Sequence, residues 1–430
     1  MEHIPALGIA IREGKRFTAT VLLEVTQCEM RAVLERRIRI LFINHTAKLG
    51  GGELALCALI RHIDKDKVSH QVLLCADGPL VGRLKNITDV HIVPLSEEIR
   101  EARKDGLGSG GLAQLKKMSS LPAYILRLRN EIRRLKVDVV HTNSLKADII
   151  GGIAARLAGK RVIWHVRDRI ESDYLPAKVA RVFRMLARLV PHAIIANSRA
   201  TLETLQLGDA AGEGRSAKGK WRGMARVVHD GFDFAEIASV PTAQRGSAKV
   251  GLIGRISPWK GQDIFLQAAA TVHLRFPQVR FQIIGSALFG EHEYEAYVRK
   301  LRTDLHLEDC VEFLGFVNNV QECIDKLDIV VHASTVGEPF GQVIIEGMAA
   351  GKPVIATRGG GIPEIVLDGE SGLLVPMRDP TALAEAISTL LANPARAIAM
   401  GSNGHQRVLD HFRIEKTAAS VTDFYREVLT

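Results

Sequence analysis

A chain of 430 residues is too long for one average domain and long enough to bury two cores, since domains run about 100–200 residues. Its 47% hydrophobic and 24% charged residues exclude a fibre, a disordered chain and a disulfide scaffold. The net charge of +9 is unevenly placed: up to residue 240 there are 39 Lys and Arg against 26 Asp and Glu, and beyond it 18 against 22, so the positive excess belongs to the first half.

Residues 1–37 carry Glu2, Arg12, Glu13, Lys15 and Arg16 around a short apolar patch, the wrong order for a secretory signal. They read as an extension, or as a stretch before a true start at Met30. Charges interrupt every run that approaches the roughly 20 apolar residues of a membrane-spanning helix. The five cysteines, Cys28, Cys57, Cys75, Cys310 and Cys323, form no close-spaced pair and fit a reducing compartment. A cytoplasmic protein, possible at the inner face of the membrane, is the expectation, with no nucleic-acid partner.

The first strong strand is RIRILFIN, ending at Asn44. HQVLLCA, DVHIVPL, VDVVHTN, RVIWHV, HAIIANS and RVVHDGF follow as short apolar runs with amphipathic stretches between most of them. GDAAGEGRSAKGKWRGMA, Gly-rich and basic, reads as an exposed loop, and VPTAQRGSAK, residues 240–249, as a linker. A second series begins with KVGLIGRI and continues through RFQIIGS, CVEFLGF, LDIVVHAS, KPVIATR and SGLLVPM. Strands alternating with helices predict an α/β protein of two doubly wound parallel sheets.

Three segments place polar groups at strand ends, where such sheets bind ligands. In STVGEPFGQVIIEGMAAGKPVIATRGGGIPE, a glycine turn carries Glu338, and Gly341, Gln342 and Val343 open a helix whose amides suit a phosphate; Glu346 lies inside it. Two carboxylates so spaced suit a ligand with hydroxyls at both ends, such as a nucleotide sugar; an N-terminal cap and a solvated helix charge are the plainer alternative. In GLIGRISPWKGQDIFLQAAA, Arg255 and Lys260 share one loop and can hold a diphosphate, or can face solvent. In NHTAKLGGGELAL, Gly50, Gly51 and Gly52 allow close approach of a ligand, or form a tight turn.

GEPFGQVIIEGMAAGKPVIAT resembles the signature of the glycosyltransferase family 4 group, also called glycosyl transferases group 1, and the likeness runs on through GGGIPEIVLDGESGLLV. Gly347 stands where alanine is usual. The resemblance implies a GT-B fold, two Rossmann-like domains facing across a cleft: an acceptor domain over 38–240, a nucleotide-sugar domain over 241–410, and a helix over 411–430 crossing back to the first. It implies a retaining hexosyltransferase, which moves sugar from a nucleoside diphosphate donor to a saccharide or lipid-linked acceptor, as in polysaccharide or glycolipid biosynthesis; with no convincing Asp-x-Asp motif at a strand end, metal-independent transfer without a cofactor is expected, Arg255 and Lys260 standing in place of a divalent cation. By the same resemblance Glu338 contacts hydroxyls of the transferred sugar and Glu346 the ribose. Gly337, Phe340, Gly341, Gln342, Val343 and Gly254 complete the donor site, and Arg255 and Lys260 take the diphosphate. His165 touches the donor sugar, while Gly50, Gly51, Gly52, Asn143, Asp168 and Asp230, with Gly231 and Asp233, line the cleft. Val166 and Arg167 are inserted relative to the commoner local pattern after His165. His141 suits a structural role as well as a site.

The acidic run at Asp64–Asp66 lies in a charged loop and reads as solvated, not as a metal motif. A G-x-G-x-x-G at Gly106, Gly108 and Gly111 follows a charged stretch, not a strand, and so lacks the context of a dinucleotide fingerprint. Lys178, Arg181, Arg184 and Arg188 recur at helical spacing, with Val182, Met185, Leu186 and Leu189 expected on the other side. That basic amphipathic helix is either a solvated face or a contact for an anionic membrane or acceptor. A nucleotide-sugar epimerase and an NAD-dependent oxidoreductase are the alternative functions.

Overall fold

The computed structural model describes residues 36–96, 99, 120–208, 214, 215, 221, 223–236, 247–287 and 290–430. The leader with Met30, the glycine motif at Gly106 to Gly111, and most of the basic loop and of the linker lie outside these residues.

Two sheets form. The first contains β1 (Ile38–Asn44), β2 (Val68–Leu74), β3 (Asp89–Ile92), β4 (Val139–Thr142), β5 (Arg161–Val166), β6 (Ala193–Ala196), β7 (Gly214–Arg215) and β8 (Met224–Val227). Its order is β3-β2-β1-β4-β5-β6-β8-β7, parallel but for the two-residue β7. The second contains β9 (Lys249–Ile253), β10 (Arg280–Ile284), β11 (Val311–Gly315), β12 (Ile329–His332), β13 (Val354–Thr357) and β14 (Leu373–Val375), ordered β11-β10-β9-β12-β13-β14 and wholly parallel. Every apolar run expected as a strand is one. All residues of β4, β6, β12 and β13 are buried, as continuous apolar strands covered on both faces must be.

Both orders place the switch between the first strand of each sheet and its fourth-running neighbour, β1 beside β4 and β9 beside β12. Polar loops at the carboxyl ends of those strands therefore collect at one crevice per sheet. Helix α1 (Gly51–His62) begins there in the first sheet.

Helix α2 (Ala177–Ala187) departs from expectation. It buries Ala180, Phe183 and Ala187, while Val182, Met185 and Leu189 are 49%, 51% and 63% exposed. These three apolar side chains share the outer face with Lys178, Arg181 and Arg188, whereas Arg184 turns inward to Thr204 O at 2.7 Å, Ile170 O and Glu171. Val182, Met185 and Leu189 therefore do not lie opposite the cations as expected: at about 100° per residue the side opposite Lys178, Arg181 and Arg188 carries Ala180, Phe183 and Ala187, and of the four apolar residues only Leu186 packs against the core.

Helices α3 (Arg199–Thr204) and α4 (Gln342–Ala349) come next, and α5 (Ile414–Leu429) is the last helix. Its Ala418, Val421, Phe424, Tyr425 and Val428 lie in the core of the first sheet with Ile40, Phe42 and Leu56. Phe232 accepts from Ile414 N at 3.0 Å and donates to Phe412 O at 2.7 Å, and Gly231 is needed because a Cβ there would lie 2.4 Å from Ile414 Cα.

Candidate active site

The second sheet supplies the carboxylate. Glu338 follows β12 and is buried, and its Oε1 accepts from Lys260 Nζ at 2.6 Å, His332 Nε2 at 2.7 Å and the Ser334 hydroxyl. Burial alone would raise this carboxyl, but the Lys260 and His332 partners outweigh it and hold it well below the ordinary carboxylate range. His332 is itself held by Thr357, whose hydroxyl lies 3.3 Å from Nδ1 and donates to Ser334 O at 2.8 Å. His332 and Ser334 escaped sequence reading, although both stand at the carboxyl end of β12, where side chains reach a crevice.

Lys260 comes from the loop after β9. Its ammonium lies 4.4 Å over the Trp259 ring, and the Arg255 guanidinium 5.7 Å over the same ring. Arg255 Nε is 3.3 Å from Glu291, which accepts from Ser257 at 2.8 Å. The two cations are thus brought together around one indole, with Gly254 beside the Lys260 stem.

Helix α4 begins at Gly341, whose φ of +128° and a Cβ position 2.6 Å from Ile362 Cδ1 leave room for glycine alone. No side chain caps the first turn, so the amides of Gln342 and Val343 remain on offer to an anion. Glu346 sits one turn further on, half-buried. Two parts of the expected donor segment face elsewhere. Phe340 is buried in a stack on His229 with ring centres 5.7 Å apart, and Glu364 accepts from Arg199 N and Ala200 N, both at 2.9 Å, and from His229 Nε2 at 2.9 Å. A carboxylate of the second sheet therefore satisfies the first amides of α3 in the first. Ser198 donates to Pro339 O at 2.6 Å, and Arg169 Nη1 to Gly337 O at 2.9 Å, across the same junction.

The first sheet contributes a cluster centred on Arg167. This buried guanidinium pairs with Asp230, donates from Nε to Asn143 Oδ1 at 2.8 Å, and reaches His165 Nδ1 at 3.4 Å. Asn143 Nδ2 in turn donates to Gly52 O at 3.1 Å. His165, Asn143, Asp230 and the glycine loop are therefore brought together, by a residue that marked only a departure from pattern in the sequence. Asp168 accepts from Tyr174 at 2.8 Å, and the Tyr174 ring meets Trp259 edge-on at 6.4 Å. Asp233 is not in this cluster: it pairs with Arg61 at 3.3 Å and His62 at 3.6 Å, at the end of α1 away from Gly52, and Gly231 serves the junction with α5. His141 is wholly buried between Tyr425 and His165.

Among the described residues, no three His, Cys, Asp or Glu side chains gather closely enough to hold a metal ion. The Asp64 carboxylate pairs with Lys67 at 3.0 Å in an exposed turn. No described helix is long and apolar enough to cross a membrane.

Two doubly wound sheets with facing polar crevices define an α/β protein of the GT-B type. Residues 49–209 match the model of glycosyltransferase family 4 and residues 233–407 that of glycosyl transferases group 1, and the chain belongs to this family. A D-inositol 3-phosphate glycosyltransferase of Corynebacterium urealyticum is 35% identical over 43% of this chain and 44% of its own length. The lipopolysaccharide core biosynthesis mannosyltransferase LpcC of Rhizobium leguminosarum bv. viciae is 30% identical over 47% of this chain and 60% of its own. The chain thus spans about half the length of the curated relatives it matches. The crystal structure of Anabaena HepE in complex with UDP and glucose superposes with a TM-score of 0.75 at 28% identity, covering 90% of this chain and 99% of that one.

Proposed function

We propose that the protein is a retaining, metal-independent glycosyltransferase that moves a hexosyl group from a nucleoside diphosphate sugar to a saccharide or lipid-linked glycan acceptor. The observation that carries this reading is the 2.6 Å contact of Lys260 with Glu338, which sets a cation for the leaving diphosphate beside a carboxylate for the sugar hydroxyls. In the reaction, the bond from the anomeric carbon to the diphosphate breaks and its electron pair passes to the phosphate oxygen. Lys260 and Arg255 stabilise that growing charge. The acceptor oxygen bonds the same face of the anomeric carbon and gives its proton to the departing phosphate oxygen. Glu338 and His165 hold the sugar, Glu346 the ribose, and the amides of α4 a phosphate. HepE, a solved relative, is a complex with UDP and glucose, which makes uridine the first base to test.

A thermal-shift panel of UDP, GDP, ADP and their sugars tests donor binding. One nucleoside diphosphate at about 100 times its Kd should stabilise the protein by about 2.7 kcal/mol, and chelation by EDTA should leave transfer unchanged. A rise with NAD and with none of the panel would overturn the reading, and conversion of donor alone, without acceptor, would make the protein an epimerase.

The proposal extends to contact with an anionic membrane through α2, which would bring a lipid-linked acceptor to the cleft. Val182, Met185 and Leu189 form an exposed stripe flanked by Lys178, Arg181 and Arg188. A cavity beside it is lined by Glu171, Ser172, Arg181, Met185, Arg188 and Gln206. Burial of such side chains contributes about 1.5–3 kcal/mol each, and each cation near an anionic surface about 1 kcal/mol. Vesicles containing phosphatidylglycerol should therefore sediment with the protein, neutral vesicles should bind it weakly, and Met185→Glu with Leu189→Glu should lower binding at least tenfold while transfer to a soluble acceptor persists. Equal sedimentation of the double variant would remove α2 from the proposal.

A further inference from the structure

Another cavity opens at the far end of the first sheet. It has a volume of about 440 Å³, and its lining includes Asp138, Arg156, Lys160, Arg161, His192 and Leu429. Asp138 immediately precedes β4, Arg161 opens β5 and His192 immediately precedes β6, so the cavity sits at the amino ends of these strands. His165 lies four residues further along β5, about 13 Å away at about 3.3 Å per residue, toward the crevice at the carboxyl ends. The two places are therefore separate.

Three of the lining side chains are cations that no acid neutralises. Arg156, Lys160 and Arg161 pair with no carboxylate among the described residues. Asp138, the acid in the lining, is already occupied. Its Oδ1 accepts from Arg36 Nη2 at 2.5 Å and Arg39 Nη2 at 2.8 Å, and its Oδ2 from Arg39 N at 3.0 Å and Arg39 Nε at 3.1 Å.

His192 shows which kind of group would complete the cavity. The backbone N–H of Val162 donates to His192 Nδ1 at 3.0 Å, and Arg156 Nη1 stands 2.5 Å from His192 Nε2. An amide N–H and a guanidinium can only donate. A neutral imidazole offers one lone pair and a protonated one offers none, so in every tautomer at least one N–H is aimed at another. Burial, with the charges of Arg156 and Arg161, pushes His192 down to about 4, so the ring is neutral at pH 7. The Val162 amide is pinned in β5, whereas the Arg156 side chain is exposed and free to move. The mismatch therefore falls at Nε2, which brings its proton toward the guanidinium. An acceptor oxygen set between them turns the mismatch into two hydrogen bonds.

We propose that this cavity is an anion site separate from the transfer crevice, one that takes a phosphate monoester between Arg156, Lys160, Arg161 and His192 Nε2. Such a phosphate carries about two charges and three strong acceptor oxygens, which answers three cations and an imidazole N–H better than the single charge of a carboxylate. The cavity volume falls among those of small-molecule sites, roughly 300–1,000 Å³, and leaves room for the group to which the phosphate is esterified. A soluble phosphate ester and a phospholipid headgroup share this chemistry. The inference does not depend on the glycosyltransferase reading.

Calorimetry and thermal shift of the full chain test it, with inorganic phosphate and glycerol 3-phosphate set against sodium chloride of equal ionic strength. Glycerol 3-phosphate should bind saturably and should move the ring-nitrogen NMR signals of His192, assigned with His192→Gln. Arg156→Gln and Lys160→Gln should each weaken binding at least about tenfold, the effect of losing one charge-assisted hydrogen bond. Without phosphate, Arg156→Gln should melt no lower than the native protein, because the glutamine oxygen can accept from His192 Nε2. Lys260→Met, in a loop of the other sheet, should leave the phosphate response in place. Saturable binding of glycerol 3-phosphate assigns the site to a soluble ester. Binding of phosphatidic acid vesicles that Arg156→Gln abolishes, with no response to the soluble ester, assigns it to a lipid headgroup. The proposal is overturned by no saturable response to ester or vesicle, by an unmoved His192 signal at saturation, or by a response that Lys260→Met abolishes and Arg156→Gln leaves intact. A lower melting temperature of Arg156→Gln without phosphate overturns it as well, since the mismatch at Nε2 would then not exist.

Discussion

Glu338→Gln is expected to reduce transfer by about two to three orders of magnitude, the effect of removing one charge-stabilising group from a closed site. The same substitution should lower stability by about 3 kcal/mol, because it leaves Lys260 and His332 around a neutral amide in a buried setting. The two losses differ in pH dependence. The folded carboxyl lies below its unfolded value of about 4.3, so its contribution is fully present above that value and is lost as pH falls toward the folded one. The native protein should therefore shed this part of its stability in acid, below about pH 4, whereas Glu338→Gln should show a shallower acid slope. Urea unfolding at pH 7 and at decreasing pH, set beside turnover at pH 7, measures both. Full turnover in Glu338→Gln would end the assignment of this carboxylate to the sugar.

What could be read in the sequence divides along a physical line. Strands buried on both faces announce themselves by continuous apolar runs, so β4, β6, β12 and β13 were legible, and with them the doubly wound order. Glycine turns at strand ends were equally plain, and they placed Glu338, Lys260, Arg255 and the start of α4. Pairings between distant residues carry no such mark. Nothing in GGGIPE signals that the Glu364 carboxylate reaches the amides of Arg199 and Ala200, nor that Phe340 stacks on His229. Helix α2 departs for a different reason: at about 100° per residue Met185 falls among Lys178, Arg181 and Arg188, and the opposite face is made of the less conspicuous Ala180, Phe183 and Ala187.

Arg167 was the least legible of the groups that matter, and its removal should have an effect as large as that of Glu338. Arg167→Met leaves Asp230 as a buried, unpaired carboxylate and takes the donor from Asn143 Oδ1, so a loss of about 3–5 kcal/mol is expected. Activity should fall by more than that instability explains. Asn143 spans from Arg167 to Gly52 O, so the guanidinium sets the glycine loop, and it also holds the lone pair of His165 Nδ1. Arg167→Lys should fare little better, because a single ammonium cannot serve Asp230, Asn143 and His165 from one fork. The double variant Arg167→Met with Asp230→Leu separates the roles. Replacing both members of a buried ion pair by apolar side chains is often neutral for stability, so urea unfolding should return close to the native value. Turnover should stay at least about 100-fold down, since the donors to Asn143 and His165 are still missing. If turnover returned together with stability, Arg167 would be a structural member of the first sheet and the acceptor side of the cleft would have to be sought around Asp168 and Tyr174.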